Sequence, residues 1–412
     1  MSNAAVLRLQ QELAAIAKNP DHQIMIYASD DDITHLHALI TGPYNTPYCL
    51  GFFDFSISCG PNYPTESPKV LAKTTSNGAV RFNPNIYAWR GEACENWSAV
   101  HGLLSLCVSI QSLMSDKPYL NEPGFENSKD NVAIEKYNQK ITHETLRVSI
   151  CDRFEQLLDM TPDASRKAWF CRCSQASPFA DQMKLMFLWY YSIYMKTTET
   201  ASQKVKVGQK FDVTRFEHSG NTMIGTFDYP ALQARLTQIH ERIMAESAEW
   251  IGMSRKSIDD QLLIVGNLTA QFSQIQTSKE FESDMSIELV DDNPFHWRVV
   301  IFGPRGTSYE DGLFEATMVF HPNFPTVPPR IRFQTNIFHV HVAPTGYVYY
   351  KVSKAGEVRQ YLSALKLLLE DEPSTAPATH LNVDAAQLYF GDETQRRTYN
   401  RNARRSAQRS LD

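Results

Sequence analysis

Two stretches far apart in the chain carry the same alternation of apolar and polar positions. Phe53, Phe55, Ile57 and Cys59 alternate with Asp54, Ser56, Ser58 and Gly60; Phe314, Ala316, Met318 and Phe320 hold the matching apolar positions near the other end. Period two predicts a half-buried strand at each place. Before each lies another strand-like run, HLHALITG or FHWRVVIFG, and a Gly-Pro turn. After each comes a proline-rich corner, PNYPTESP or PNFPTVPP, where proline withdraws ladder donors and turns the chain off the sheet. The expected unit is an antiparallel meander.

Helical periodicity surrounds both meanders. Val6, Leu9, Leu13 and Ile16 form one apolar stripe, and Leu103, Leu104, Val108, Ile110, Leu113 and Met114 read as a buried helix. Leu362, Leu365, Leu368 and Leu369 supply its counterpart, and Ser257 with Asp260 resembles a capping box opening a helix to about Gln276. Between the meanders, Tyr137–Leu158 is helical in period, Met183–Met195 is rich in aromatics, and Asp228 with Pro230 opens a further helix carrying Leu232, Leu236, Ile239 and Ile243. No strand run is found there. The polar stretch Ala245–Ser257 reads as a hinge.

The two ends are a repeat. Residues 42–70 and 303–331 align without a gap at an offset of 261, with eleven identities in twenty-nine positions, mostly Gly, Pro, Thr, Tyr and Phe. Two distant copies mean a duplicated domain rather than a solenoid. A length of 412 residues accommodates this, since about 100–200 residues make a domain. A net charge of −6 without a long basic run argues against general nucleic-acid binding. The N-terminus lacks a signal-peptide layout, and no run approaches the ~18 apolar residues of a membrane span. The seven cysteines, Cys49, Cys59, Cys94, Cys107, Cys151, Cys171 and Cys173, are odd in number and irregular in spacing, which predicts free thiols in a reducing, cytoplasmic or nuclear, compartment. All lie before residue 174, so the second copy can do no thiol chemistry.

Both copies resemble the ubiquitin-conjugating (UBC) fold. GPYNTPY, PNYPTESP, RFNPNIY, GEAC, WSAV, SIQSLMSD and NEPGFE carry the likeness in copy one; FHWRVVIFGP, TSYEDGLFE, PNFPTVPP, TNIFHVHV, TGYV and AAQLY carry it in copy two. RFNPN, NEPGFE and the following helical segments make copy one similar to the Z-type branch through about residue 250. The implied class is α+β, with two UBC-like domains, each a four-stranded antiparallel meander flanked by helices, joined by a helical extension. The implied boundaries are 1–127, 128–250 and 257–412.

The implied reaction is acyl carriage. A thiolate takes the C-terminal carbonyl of ubiquitin or a related modifier as a thioester and yields it to a lysine or a ligase. Cys94 occupies the acceptor position, Asn85 that of the oxyanion donor, and Asp116 that of the carboxylate facing the lysine. Asn85 has a second reading as a loop holder, and Asp116 as turn chemistry before Lys117-Pro118. Three departures stand out. Cys94 follows Asn85 by nine residues, one more than the family's spacing; Trp97 arrives only two residues after Glu95 begins the next segment; and Ala99 replaces the family's proline. The segment walling the groove is therefore shortened, and Glu95 should raise the thiol's pKa. Cys59, Cys107 and Cys151 read as core, and Cys171 with Cys173 lacks a second pair at zinc spacing.

In copy two, Tyr349 stands at the nucleophile position and His341 at that of the asparagine, eight residues earlier. A phenol with a pKa near 10 cannot carry a transferable thioester. His339 and His341 share a strand face without a third ligand, so neither metal nor cofactor is expected. A copy without the nucleophile is expected to bind and orient rather than react. The resemblance implies a modifier, an activating enzyme, a protein substrate and a ligase as partners. The alternative is a double pseudo-enzyme serving as a scaffold. The tail arginines Arg396, Arg397, Arg401, Arg404, Arg405 and Arg409 read as a solvated helix face.

Overall fold

The computed structural model describes residues 3–29, 31–82, 88–89, 97–160, 177–217, 222–256 and 262–411. The chain divides into two compact units. One comprises Met1–Ala180 and Thr197–Ile239; the other comprises Asp181–Lys196 and His240–Asp412.

In the first unit, α1 (Asn3–Lys18) leads into β1 (Ile24–Ser29), β2 (Asp32–Thr41), β3 (Phe52–Ser58), β4 (Lys69–Ala72) and the two-residue β5 (Ala88–Trp89), which pair as antiparallel neighbours in that order. The register puts Leu36 opposite Ile57, Ala38 opposite Phe55 and Ile40 opposite Phe53. All six side chains enter one core with Leu9 and with Leu103, Leu106, Cys107 and Ile110 of α2 (Leu103–Ser112). Leu104 and Val108, expected inside, are 43% and 49% exposed. They sit a third of a turn off the stripe that Leu103, Leu106, Cys107 and Ile110 define.

The alternate positions of β3 are not left to water at its start. Phe52 meets Phe154 edge-to-face at 5.4 Å, and Asp54 forms an ion pair with Arg153. These partners come from the extension, where α3 (Asn131–Glu144) runs through a π-helical segment, Thr145–Asp152, into α4 (Arg153–Leu157). Gly51 permits the approach. A Cβ there would lie 2.7 Å from Thr145 Cγ2 and closer still to Ser149 Oγ.

The second unit contains Asp181–Lys196 of α5 (Ala180–Ser202) and residues 240–256 of α6 (Tyr229–Lys256), followed by α7 (Leu262–Ser278). Its sheet is β6 (Met285–Leu289), β7 (His296–Phe302), β8 (Leu313–Val319) and β9 (Arg330–Phe333), again an antiparallel meander. Then come α8 (Val358–Glu370), α9 (Val383–Tyr389) and α10 (Glu393–Arg409). Leu362, Leu365, Leu368 and Leu369 are buried on α8 as their spacing predicts. The Ser257–Asp260 pair lies outside the described residues.

The stretch read as a hinge, Ala245–Ser257, is helical through Lys256. Its polar residues have buried partners. Arg330, 4% exposed, donates to the Ile243 carbonyl (2.6 Å), Ser247 Oγ (2.9 Å) and Glu246 (2.7 Å), and its guanidinium lies 4.0 Å over the Trp250 ring. Glu246 also pairs with Lys184 at 2.8 Å.

The repeat identities turn out to be duplicated bonds. Thr46 Oγ1 donates to the Pro43 carbonyl (2.8 Å) and accepts from the Tyr48 amide; Thr307 does the same with Pro304 (2.7 Å) and Tyr309. Tyr48 Oη donates to the Phe82 carbonyl at 2.7 Å, and Tyr309 Oη to that of Phe338 at 2.9 Å. Thr74 Oγ1 accepts from the Asp54 amide and Thr335 Oγ1 from that of Glu315, both at 2.9 Å. Both corners carry a cis proline, Pro64 and Pro325. At Gly42 and Gly303 an added Cβ would collide with the Tyr48 or Tyr309 carbonyl. Gly42→Ala should therefore lower stability by about 1–3 kcal/mol, as overpacking does. Denaturant unfolding of the full chain checks this, and an unchanged midpoint would contradict the close approach.

Candidate active site

Asn85 and Cys94 lie outside the described residues, but residues on either side of them in the chain are described. Phe82 is fixed by the Tyr48 hydroxyl at one end. At the other, Trp97 Nε1–H donates to the Pro64 carbonyl at 2.8 Å, with its ring against Tyr63 and His101. Phe82 and Trp97, which flank residues 83–96 in the chain, are thus both anchored, although the proline after Ser98 is absent. Glu12 of α1 accepts from the Tyr63 hydroxyl (2.9 Å), the Leu103 amide (2.7 Å) and Arg8 (2.5 Å). Arg8, one of few cations on this helix, is therefore occupied by its own domain.

Asp116 is exposed, and among the described residues its carboxylate has no hydrogen bond or ion pair, while its carbonyl accepts from Asn138 Nδ2 at 2.9 Å. An exposed carboxylate suits an incoming amine, and the adjoining Lys117-Pro118 opens a short 3₁₀ turn, Pro118–Asn121. The NEPGFE run has a packing role that sequence reasoning did not assign. Phe125 and Tyr137 meet Phe216 edge-to-face at 5.4 and 5.3 Å, and Tyr119 packs on it tilted at 5.2 Å. Beneath this cluster Lys140 and Glu217, 1% and 2% exposed at their side chains, pair at 2.9 Å. The branch motif and the extension are therefore parts of one core.

The remaining described thiols are poor nucleophiles. Burial pushes Cys107 and Cys151 up to about 12, Cys59 also to about 12 and Cys49 to about 11. Cys171 and Cys173 lie outside the described residues.

The matching region of the second copy, around His341 and Tyr349, is fully described. Val342 bridges Val348, and the Tyr349 amide donates to the His341 carbonyl at 2.9 Å, so the two positions matched by sequence are neighbours in space. His341 is a structural clasp: Nδ1–H donates to the Thr379 carbonyl (2.8 Å) and Nε2 accepts from the Ser374 amide (2.9 Å). His339 Nδ1 accepts from the His341 amide at 3.0 Å, and His380 Nε2–H donates to the Ser374 carbonyl at 2.8 Å. Both ring nitrogens of His341 are thus taken by main-chain groups.

Burial holds His339 well below, and His341 and His380 below, the ordinary imidazole value of 6.5. Between that value and the lower folded ones only the unfolded chain binds the proton. Stability is therefore full above about pH 6.5 and falls as pH drops, by about 1.4 kcal/mol per pH unit for each such histidine. The unfolding midpoint of the second unit should fall between pH 7 and pH 5. His341→Asn should flatten that slope, and an equal slope in both proteins would refute the assignment.

Sequence reasoning missed what covers this site. Trp189, fully buried, lies 5.1 Å from the Tyr349 ring and 5.7 Å from that of Tyr350, and Tyr190 Oη donates to the Ala378 carbonyl at 3.0 Å. The aromatic richness of Met183–Met195 was the visible signal, without an indication of its target. No helix among the described residues is long and apolar enough to cross a membrane.

The profile of the family described as "Ubiquitin-conjugating enzyme" matches residues 8–146 and again 267–407. The two matches end at equivalent positions, 261 residues apart. Ubiquitin-conjugating enzyme E2 Z of Xenopus tropicalis is 36% identical over 260 residues, covering 59% of this chain and 73% of that protein. The Homo sapiens E2 Z is 35% identical over 257 residues, covering 58% and 64%. The Homo sapiens dual E2 ubiquitin-conjugating enzyme/E3 ubiquitin-protein ligase BIRC6 is 33% identical over 145 residues, covering 31% of this chain and 3% of that protein. With the family pattern present at both ends, on two meanders of the same register and turn chemistry, the chain belongs to the ubiquitin-conjugating enzyme family.

Proposed function

We propose that the chain carries ubiquitin or a ubiquitin-like modifier as a thioester on Cys94 and passes it to a lysine or a ligase, in a reducing cytoplasmic or nuclear setting. In this reading Asn85 donates to the carbonyl oxygen as it becomes an oxyanion, and Asp116 faces the lysine and favours loss of its proton. The thiolate attacks the modifier's activated carbonyl and expels the activating enzyme's thiol; the lysine amine later expels Cys94. The second domain takes no part in bond-making and serves as a binding or orienting module. The observation that carries the reading is that Phe82 and Trp97, on either side of the family's cysteine in the chain, are both anchored, while Cys59, Cys107 and Cys151 are buried and Cys49 is half-buried, all with raised thiol pKa values.

One observation favours the scaffold alternative: Cys94 is followed at once by Glu95, Asn96 and Trp97, which leaves little chain to wall the groove. Incubation with activating enzyme, ATP and modifier separates the readings. A reductant-sensitive adduct on the full chain supports conjugation; its absence with every activating enzyme tried leaves the scaffold. Engagement of Arg8 by Glu12 and the His101 carbonyl leaves few cations on α1 for an activating enzyme to meet, so the choice of that partner is part of the test.

A further inference from the structure

In a second domain that makes no thioester, the former catalytic face is still occupied. Tyr349 lies between His341, 6.2 Å away by ring centroids, and Trp189 at 5.1 Å. Around them, Tyr190 reaches the Ala378 carbonyl and Lys196 pairs with Asp384 of α9 at 2.5 Å. The covering segment is held from behind: Tyr191 stacks on His240 at 4.0 Å, and Lys184 pairs with Glu246, which Arg330 of the sheet also holds. The Trp189 ring thus lies against one side of the position to which a modifier tail would be joined.

We propose that the degenerate site is a receptor for this chain's own segment Asp181–Lys196, which fills the groove between residue 349 and the Ser374–Asn382 loop and excludes a modifier tail from it. The inference rests on the reading of the second domain as non-catalytic and deepens it: any ubiquitin that domain binds must use another face. The buried aromatic pair Trp189–Tyr190 enters from a helix whose polar residues, Lys184 and Lys196, find carboxylates on the same unit. An indole is large enough to fill a site built for a thiol and an acyl chain, and its burial gives the segment a strong anchor.

The test installs a reporter thiol. In the full chain, Tyr349→Cys is alkylated with a maleimide and followed by peptide mass spectrometry. Slow labelling is expected, rising by about ten-fold or more when Trp189→Ala is added, because labelling then no longer waits on local opening. Tyr190→Phe, which removes one hydrogen bond, should give a smaller rise. Equal rates with and without Trp189 overturn the proposal. If Trp189→Ala fails to fold by circular dichroism, Trp189→Phe decides: an unchanged rate overturns it, and a modest rise supports it. The wider reading fails separately, if a Cys94→Ala chain with Tyr349 intact still forms a modifier adduct through its second domain. Fast labelling without such an adduct removes the receptor alone.

Discussion

Cys94→Ala should abolish the reductant-sensitive adduct, a loss of at least about 100-fold, as expected on removing a covalent nucleophile. Cys94→Ser should instead trap an oxyester that survives reductant, since an alkoxide is a poorer leaving group than a thiolate. The pair distinguishes chemistry at this residue from a folding effect, because serine and alanine differ little in volume. Charging should also quicken as pH rises toward the ordinary thiol value of about 8.5. Electrophoresis with and without reductant reads all of this. A persistent thioester in Cys94→Ala would move the acceptor to another cysteine, and Cys171 and Cys173 would be the first to replace.

Lys140→Ala should cost about 3–5 kcal/mol, because it leaves the Glu217 carboxylate buried without its cation. Glu217 also accepts from the Thr214 amide at 3.0 Å, so the loop under Phe216 should loosen as well. The double change Lys140→Met with Glu217→Leu should recover most of the loss, since it removes both charges and keeps volume. Urea unfolding checks the order: the single variant should be the least stable, and equal stability of all three proteins would deny the pair its role. Because the aromatic cluster of Tyr119 and Phe125 rests on this pair, the single variant should also weaken the segment after α2 that begins with Asp116.

What could be read from sequence was whatever the backbone itself demands. Gly42, Thr46, Tyr48 and Pro64 recur at Gly303, Thr307, Tyr309 and Pro325 because each makes or permits a main-chain bond that the meander needs. Such bonds are local, and they announce themselves by residue type. Pairings between distant side chains do not. Nothing in the alternation of β3 says that Asp54 meets Arg153, ninety-nine residues on. Likewise Glu246, Ser247 and Trp250 look like a polar linker until Arg330 supplies the partner. Leu104 and Val108 belong to the apolar run that reads as a buried helix, and their exposure follows from their angle around α2, off the stripe of Leu103, Leu106, Cys107 and Ile110. At the site, Tyr349 and His341 were found by spacing and do adjoin. Trp189 was not found, because a strand-and-helix pattern does not say which groove a buried ring will enter.

The grip of Arg330 on α6 sets where this molecule can be cut. A fragment beginning at residue 257 matches the outline of the second domain but discards Glu246, Ser247, Trp250 and Trp189. It would leave a nearly inaccessible guanidinium without its carboxylate and strip the cover from Val319, Val327 and Tyr350. Such a piece should express poorly and self-associate through the uncovered patch. Residues 181–196 and 240–256 belong with this domain while 197–239, between them in the chain, belong to the first unit, so no single cut releases the second unit whole.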